Sequence, residues 1–174
     1  MTAAPPPSDA GPADRVVVTV TVDVPPATAF EVFTQETDLW WRRGPRFRLA
    51  GQHPGVLSFE PRAGGRLFEQ YESAAGPRAH DIGVVEVWEP PHRLVFGWRA
   101  ANFAPAEHTE VEVRFEPTRR GTRVTVEHRG WAAIRPDHPA RHGQATAAFL
   151  AEFGSWWGDL VMALRRHASE RPAI

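Results

Sequence analysis

Few side chains in this sequence could do chemistry, and each competes with a plainer role. His128, in "TRVTVEHRGW", shares a strand face with Val124 and Val126 and so points inward. There it could contact a ligand or act as a general base, although a core histidine with one backbone hydrogen bond is the commoner case. Tyr71 is the only phenol. It could donate to a ligand carbonyl or brace the sheet, and strand parity does not decide. Leu67, Glu69 and Tyr71 on one face and Phe68, Gln70 and Glu72 on the other are both mixed sets. Residues 38–49, "DLWWRRGPRFRL", set two adjacent tryptophans against four arginines. Aromatic stacking plus guanidinium charge suits a single-stranded nucleic acid. The same mixture suits a lid whose apolar side faces inward while its arginines stay in water.

Other constellations fail. His138 and His142 are four apart, a metal-binding spacing on a helix. Pro139 makes His138 a helix-start residue instead, and no third ligand is near, so no metal is expected. Gly64-Gly65 joins two strands and is a turn, not a phosphate cradle. No serine sits in a nucleophile elbow. The chain has neither lysine nor cysteine, which excludes a Schiff base, a lysine-dependent phosphate loop, thiolate nucleophiles, disulfides and cysteine zinc sites. No catalytic residue and no cofactor are assigned.

A net charge of −1 over 174 residues, with acids and arginines spread throughout, argues against a nucleic-acid partner. No stretch reaches the roughly 20 apolar residues of a membrane span. The start, "MTAAPPPSDAGPAD", has no basic and apolar leader and reads as a disordered tail over 1–14. A single domain over 15–168 and a short tail over 169–174 follow. The absence of cysteine fits a cytoplasmic protein.

Hydrophobic rhythm supplies the elements. "RVVVTVTVDV" alternates as a strand, ended by Pro25-Pro26. Phe30 and Phe33 share a face of a short helix, and a second short helix carries Asp38, its expected N-cap, to Trp41. Six period-two segments from residue 55 onward, separated by turn residues, form an antiparallel meander. In "EVEVRFE", Val111, Val113 and Phe115 face one way and the charges the other, so one face is buried and one wet. A long helix over about 143–168 repeats Phe149, Phe153, Trp156, Leu160 and Leu164 at spacings of three and four. Within it Gly154 and Gly158 permit close packing on the sheet.

This order, with "VTVDVPPATAFEVFT", "FEPRAGGRLFEQ", "GVVEVWEPPHRLVFGW", "GTRVTVEHRGW" and the Trp156-Trp157 pair, resembles the START-like (SRPBCC) superfamily over about 16–166. Within it, the chain is most similar to the family of the C-terminal domain of the activator of the ninety-kilodalton heat-shock chaperone's ATPase. The resemblance implies an α+β helix-grip fold: a seven-stranded antiparallel sheet curled around the long C-terminal helix, with two short helices after strand 1 and a cavity between sheet and helix. It also implies an apolar ligand, a polyketide-cyclase type of chemistry, or a protein partner. Seven tryptophans and ten phenylalanines supply core and cavity walls alike. Expected walls are Trp40, Trp41, Phe59, Trp98 and Trp131, with Tyr71 and His128 as orienting groups. The tryptophan pair covers the cavity mouth and the arginines face water. The first reading is a binder of an apolar, aromatic or polycyclic small molecule. The alternatives are a protein-partner module and a cyclase or aromatase using His128 as base, which ranks last because no second catalytic group is placed near it.

Overall fold

The computed structural model describes residues 14–50, 53–99 and 103–172. The expected N-terminal tail lies outside the described residues except for Asp14. Strand β1 (Arg15–Val22) leads into helices α1 (Pro26–Gln35) and α2 (Thr37–Trp40). Strands β2 (Gly55–Phe59), β3 (Arg66–Ser73), β4 (Gly76–Glu89), β5 (Arg93–Trp98), β6 (Thr109–Pro117) and β7 (Thr122–Arg129) follow. Two single-turn helices, Trp131–Ala133 and Pro139–Arg141, lead to the long helix α3 (Thr146–Ser169). All seven strands form one antiparallel sheet in the order β1-β7-β6-β5-β4-β3-β2. Its edges are the first two strands of the chain. With α3 lying across the concave face, this is the helix-grip architecture.

Alternation sets the inner face. In β1, Val16, Val20 and Val22 are buried and Val17 points out. In β6, Val111, Val113 and Phe115 turn inward, and Phe115 meets Phe30 and Phe33 of α1 at ring-centroid distances of 5.2 and 5.8 Å. Pro26 starts α1 where its missing N–H costs nothing. On α3, Trp157, Leu160, Val161 and Leu164 fill the core. Gly154 faces β1 without being required for the approach, since a Cβ there would sit 3.6 Å from Val16 Cγ1, an ordinary packing contact.

The sheet curves at two irregularities in β4's pairing, at Leu67/Phe68 of β3 and between Val85 and Val87. Gly83 lies between them, and a Cβ on it would fall 1.5 Å from the Gly97 carbonyl oxygen. Only a bare backbone fits there.

The outer face is not simply wet. Glu112 and Glu127 are buried beneath arginines: Arg93 Nε lies 2.9 Å from Glu112, and Arg129 Nη1 lies 3.2 Å from both acids. Burial pushes the Glu112 carboxyl up, but its hydrogen bond to Arg93 and the charges of Arg93, Arg114 and Arg129 outweigh this. The group is held below the ordinary carboxylate range.

Asp38 is not the cap of α2. Glu36 holds that position and makes no side-chain cap bond. Asp38 instead reaches the free edge of β2, accepting from the Leu57 N–H (2.9 Å) and from Arg43 and Arg48 (2.7 Å each). Arg43 also donates to the Gly55 carbonyl at 3.0 Å. Two arginines claim this carboxylate, and that outweighs any capping role.

Candidate functional site

Between the sheet, α3 and the segment after α2 lies a cavity of about 380 Å³, within the size range of small-molecule sites. Trp41, at the end of α2, stacks on Trp98, at the end of β5, with centroids 6.0 Å apart and planes at 17°. From α3, Phe149, Phe153 and Trp156 form a continuous stack with spacings of 5.5 and 5.1 Å. Trp131 closes the far side, edge-on to Phe149 at 4.8 Å and Phe153 at 5.0 Å. Leu57, Glu69 and Ile82 face the cavity from β2, β3 and β4. The helical spacing of three and four thus serves two surfaces, with one flank of α3 packed on the core and the other lining the void.

Residues 42–49 cover one side. Phe47 stacks on Trp156 (5.8 Å), and the Trp156 indole donates to the Arg46 carbonyl (2.8 Å). Arg42 and Arg46 lie 4.8 and 5.4 Å from the Phe47 ring centroid, and both approach Asp159 of α3, at 3.3 and 3.5 Å. Arg42, Arg43 and Arg46 are exposed. Arg48 is not, which corrects the expectation that all four arginines face water. Its guanidinium is buried, pairs with Asp38 at 2.7 Å, and donates to the carbonyls of Trp41 and Arg42 at 2.9 and 3.1 Å. Convergent acceptors replace its water.

Of the seven residues expected at the site, Trp41, Trp98 and Trp131 stand in the wall. Trp40 turns into the core, packs on Phe33 at 5.0 Å and donates to the Val32 carbonyl at 3.1 Å. Phe59 is held between Phe33 and Phe96, at 6.5 and 5.2 Å. Tyr71 lies away from the cavity, stacked between His53 and His80, with its hydroxyl 3.1 Å from His80 Nε2.

His128 sits behind the wall, fully buried among Trp98, Trp131, Phe153 and Trp157. The Trp157 indole, which can only donate, reaches Nδ1 at 3.1 Å. Nε2 therefore carries the proton and donates to Thr109 Oγ1 at 2.6 Å, while the threonine hydroxyl donates to the Trp98 carbonyl at 3.3 Å. Burial lowers the imidazole pKa from 6.5 to about 3. Both ring nitrogens are committed to neutral partners, an arrangement that fixes Trp98 and Trp157 and leaves His128 no free lone pair for base chemistry.

His138 starts the second single-turn helix, accepting from the Ala140 N–H at 3.0 Å, and its Nε2 lies 3.2 Å from Glu107. Among the described residues no group of three or more His, Cys, Asp or Glu is placed to hold a metal, and no helix is long and apolar enough to cross a membrane.

Reading the sequence missed Glu69 and the α3 flank. The signal for Glu69 was present, since it follows Leu67 on the same face of β3, but the mixed parity concealed it. Its side chain is buried, with Oε2 accepting from the Leu49 and Ala50 N–H groups at 2.8 and 3.1 Å. The carboxylate thereby pins the covering segment to the sheet.

The same architecture occurs in solved structures. Protein MLL2253 from Mesorhizobium loti is 21% identical, with a TM-score of 0.61 over 92% of this chain and 99% of its own. Protein NE0264 from Nitrosomonas europaea is 15% identical, with a TM-score of 0.60 over 91% and 96%. A Rhodobacter sphaeroides protein is 22% identical, with a TM-score of 0.60 over 92% and 97%. At such identities the likeness establishes the fold alone. No curated protein matches the chain. The model of the family described as Activator of Hsp90 ATPase homolog 1-like protein matches residues 23–154, from just after β1 into α3. That span holds most of the sheet and of the cavity wall, and the chain belongs to this family.

Proposed function

We propose that the protein binds an apolar, aromatic or polycyclic small molecule in the cavity between the sheet, the 42–49 segment and α3. The observation that carries this reading is the cavity itself: about 380 Å³ walled by the rings of Trp41, Trp98, Trp131, Phe149, Phe153 and Trp156. Planar π-faces and edges favour a flat ring system, which gains stacking beyond its area burial. The cytoplasm is the compartment we propose, on the strength of a cysteine-free sequence.

The test is a tryptophan-fluorescence titration of the purified protein with polycyclic aromatics, sterols and fatty acids. Saturable quenching by aromatics is expected, weakened about tenfold or more in Trp98→Phe and Trp131→Phe, where indole area is lost from the wall. No saturable response across the panel would reject the reading and move the function to a protein-partner surface.

A further inference from the structure

The charged and polar residues that line the cavity fall into two groups. Arg48 and Glu69 are buried and tied into the fold, Arg48 to Asp38 and the Trp41 carbonyl, Glu69 to the Leu49 and Ala50 N–H groups. Arg46, His142 and Glu152 are exposed, as is Pro45. A residue that both lines a cavity and meets solvent stands at its opening. The mouth therefore lies between the 42–49 segment and residues 142–152, which lead into the first turns of α3. The buried rings of Trp98, Trp131 and Phe149 lie deeper. Resting on the pocket reading above, we infer that the ligand carries a carboxylate head, which stays at this mouth and accepts hydrogen bonds from Arg46 and His142.

Arg46 is anchored beside the aromatic wall. Its carbonyl accepts from the Trp156 indole at 2.8 Å, and its guanidinium lies 5.4 Å from the ring centroid of Phe47, itself a wall residue. The ring thus holds the charge near the opening. Its ion-pair partner among the described residues is Asp159, at 3.5 Å, longer than a charge-assisted hydrogen bond, and Asp159 serves Arg42 as well. A guanidinium has five donors, so Arg46 keeps capacity for a further acceptor.

His142 is held by its backbone. Among the described residues it is the only non-glycine with a positive φ, at 50°, and it ends the second single-turn helix with its N–H on the Pro139 carbonyl at 3.1 Å. A residue with a side chain seldom adopts this conformation, and such outliers gather at ligand sites. Its ring has no partner among the described residues. Glu152 supplies the one exposed carboxylate of the lip, and the Gln144 amide already donates to it at 2.7 Å. What the mouth leaves unused is donors. They select an acceptor, and the guanidinium favours a charged, planar one.

An isosteric pair of probes tests this. Naphthoate and acetylnaphthalene differ only in a carboxylate oxygen where the ketone has a methyl group. Calorimetric titration of the whole chain near neutral pH should give naphthoate about tenfold tighter binding, an advantage that shrinks as salt is raised. Arg46→Gln keeps much of the stem and loses the charge. His142→Gly removes the ring at a position whose φ glycine adopts freely. Both residues are exposed, so the fold tolerates either change. Each should cut the naphthoate advantage about threefold or more, with acetylnaphthalene losing less. Glu152→Gln, which removes an opposing charge from the lip, should enlarge the advantage. Ratios taken on one variant are insensitive to the fraction of protein that folds. Equal affinities in the parent, or an advantage that neither Arg46→Gln nor His142→Gly reduces, would overturn this inference and leave the pocket reading standing. If neither probe binds saturably, both fall.

Discussion

At the scale of single residues, His128 is the side chain that the sequence marks most clearly and whose place is set most firmly by its neighbours. Its inward direction was legible from the alternation with Val124 and Val126. Its role was not, because the decisive partner, Trp157, lies 29 residues away on α3 and contributes an indole that can only donate. The network makes a linkage prediction. An unfolded histidine takes up a proton below its ordinary pKa of 6.5, whereas the folded one resists down to about 3. The unfolded state thus binds more protons through this window, and stability falls as the pH drops from 6.5 toward 3, by on the order of 4 kcal/mol over the whole range. The depressed carboxyls Asp38 and Glu112 add losses only below their ordinary values of 3.8 and 4.5. Glu86, raised by burial and the nearby Glu110 charge, acts in the opposite sense. Between 6.5 and 4.5 the fall in stability comes from the histidine, opposed just above 4.5 by Glu86. His128→Gln can accept from Trp157 and donate to Thr109 without titrating. Urea unfolding at several pH values should find it within about 2 kcal/mol of the parent near neutrality, with a much flatter acid slope. An unchanged slope would assign the pH dependence elsewhere.

At the scale of elements, the segment between α2 and β2 behaves as a cover latched to α3. Its nature was half legible in "DLWWRRGPRFRL": aromatic rings inward, charge outward. Two details escaped because they depend on how the chain turns back on itself, which strand and helix periodicity do not reveal. Trp40 finds backbone carbonyls in α1 and leaves the wall, and Arg48 finds Asp38 and Glu69 and leaves the water. The latch has separable parts: the indole bond to Arg46, the Phe47 stack, and the exposed pairs of Arg42 and Arg46 with Asp159. Exposed ion pairs contribute little, typically under about 1 kcal/mol. Asp159→Asn should thus leave global stability within that margin. Trp156→Phe keeps a ring for stacking but loses the donor, and should speed amide exchange across 42–49 about fivefold, corresponding to about 1 kcal/mol, while β5 to β7 stay protected. Exchange-detected mass spectrometry separates the two, and equal effects of both substitutions would mean that charge and indole act as one unit.

At the scale of the whole molecule, strand alternation and turn residues made the antiparallel meander readable, but not its curvature or the void it encloses. A cavity is what side chains from several elements fail to fill, and no single stretch encodes that. Curvature has a local origin in the close approach of β4 and β5. Gly83 and Gly97 face this crossing unequally: a Cβ on Gly83 would overlap a carbonyl oxygen, whereas one on Gly97 would find its nearest atoms at 3.9 Å. Gly83→Ala should cost about 2 to 3 kcal/mol or more as the strands are forced apart, and Gly97→Ala less than about 1 kcal/mol. Paired denaturant melts check the contrast, and equal costs would contradict the geometry. The ordering of the strands has its own outcome. An open sheet has two unsatisfied margins, and a bare margin invites another chain to dock on it. Here the β2 margin is already occupied: Asp38 takes the Leu57 N–H and Arg43 the Gly55 carbonyl. Two side chains stand there in place of an eighth strand, so a chain docking on this margin would first have to displace the ion pair of Asp38 with Arg43.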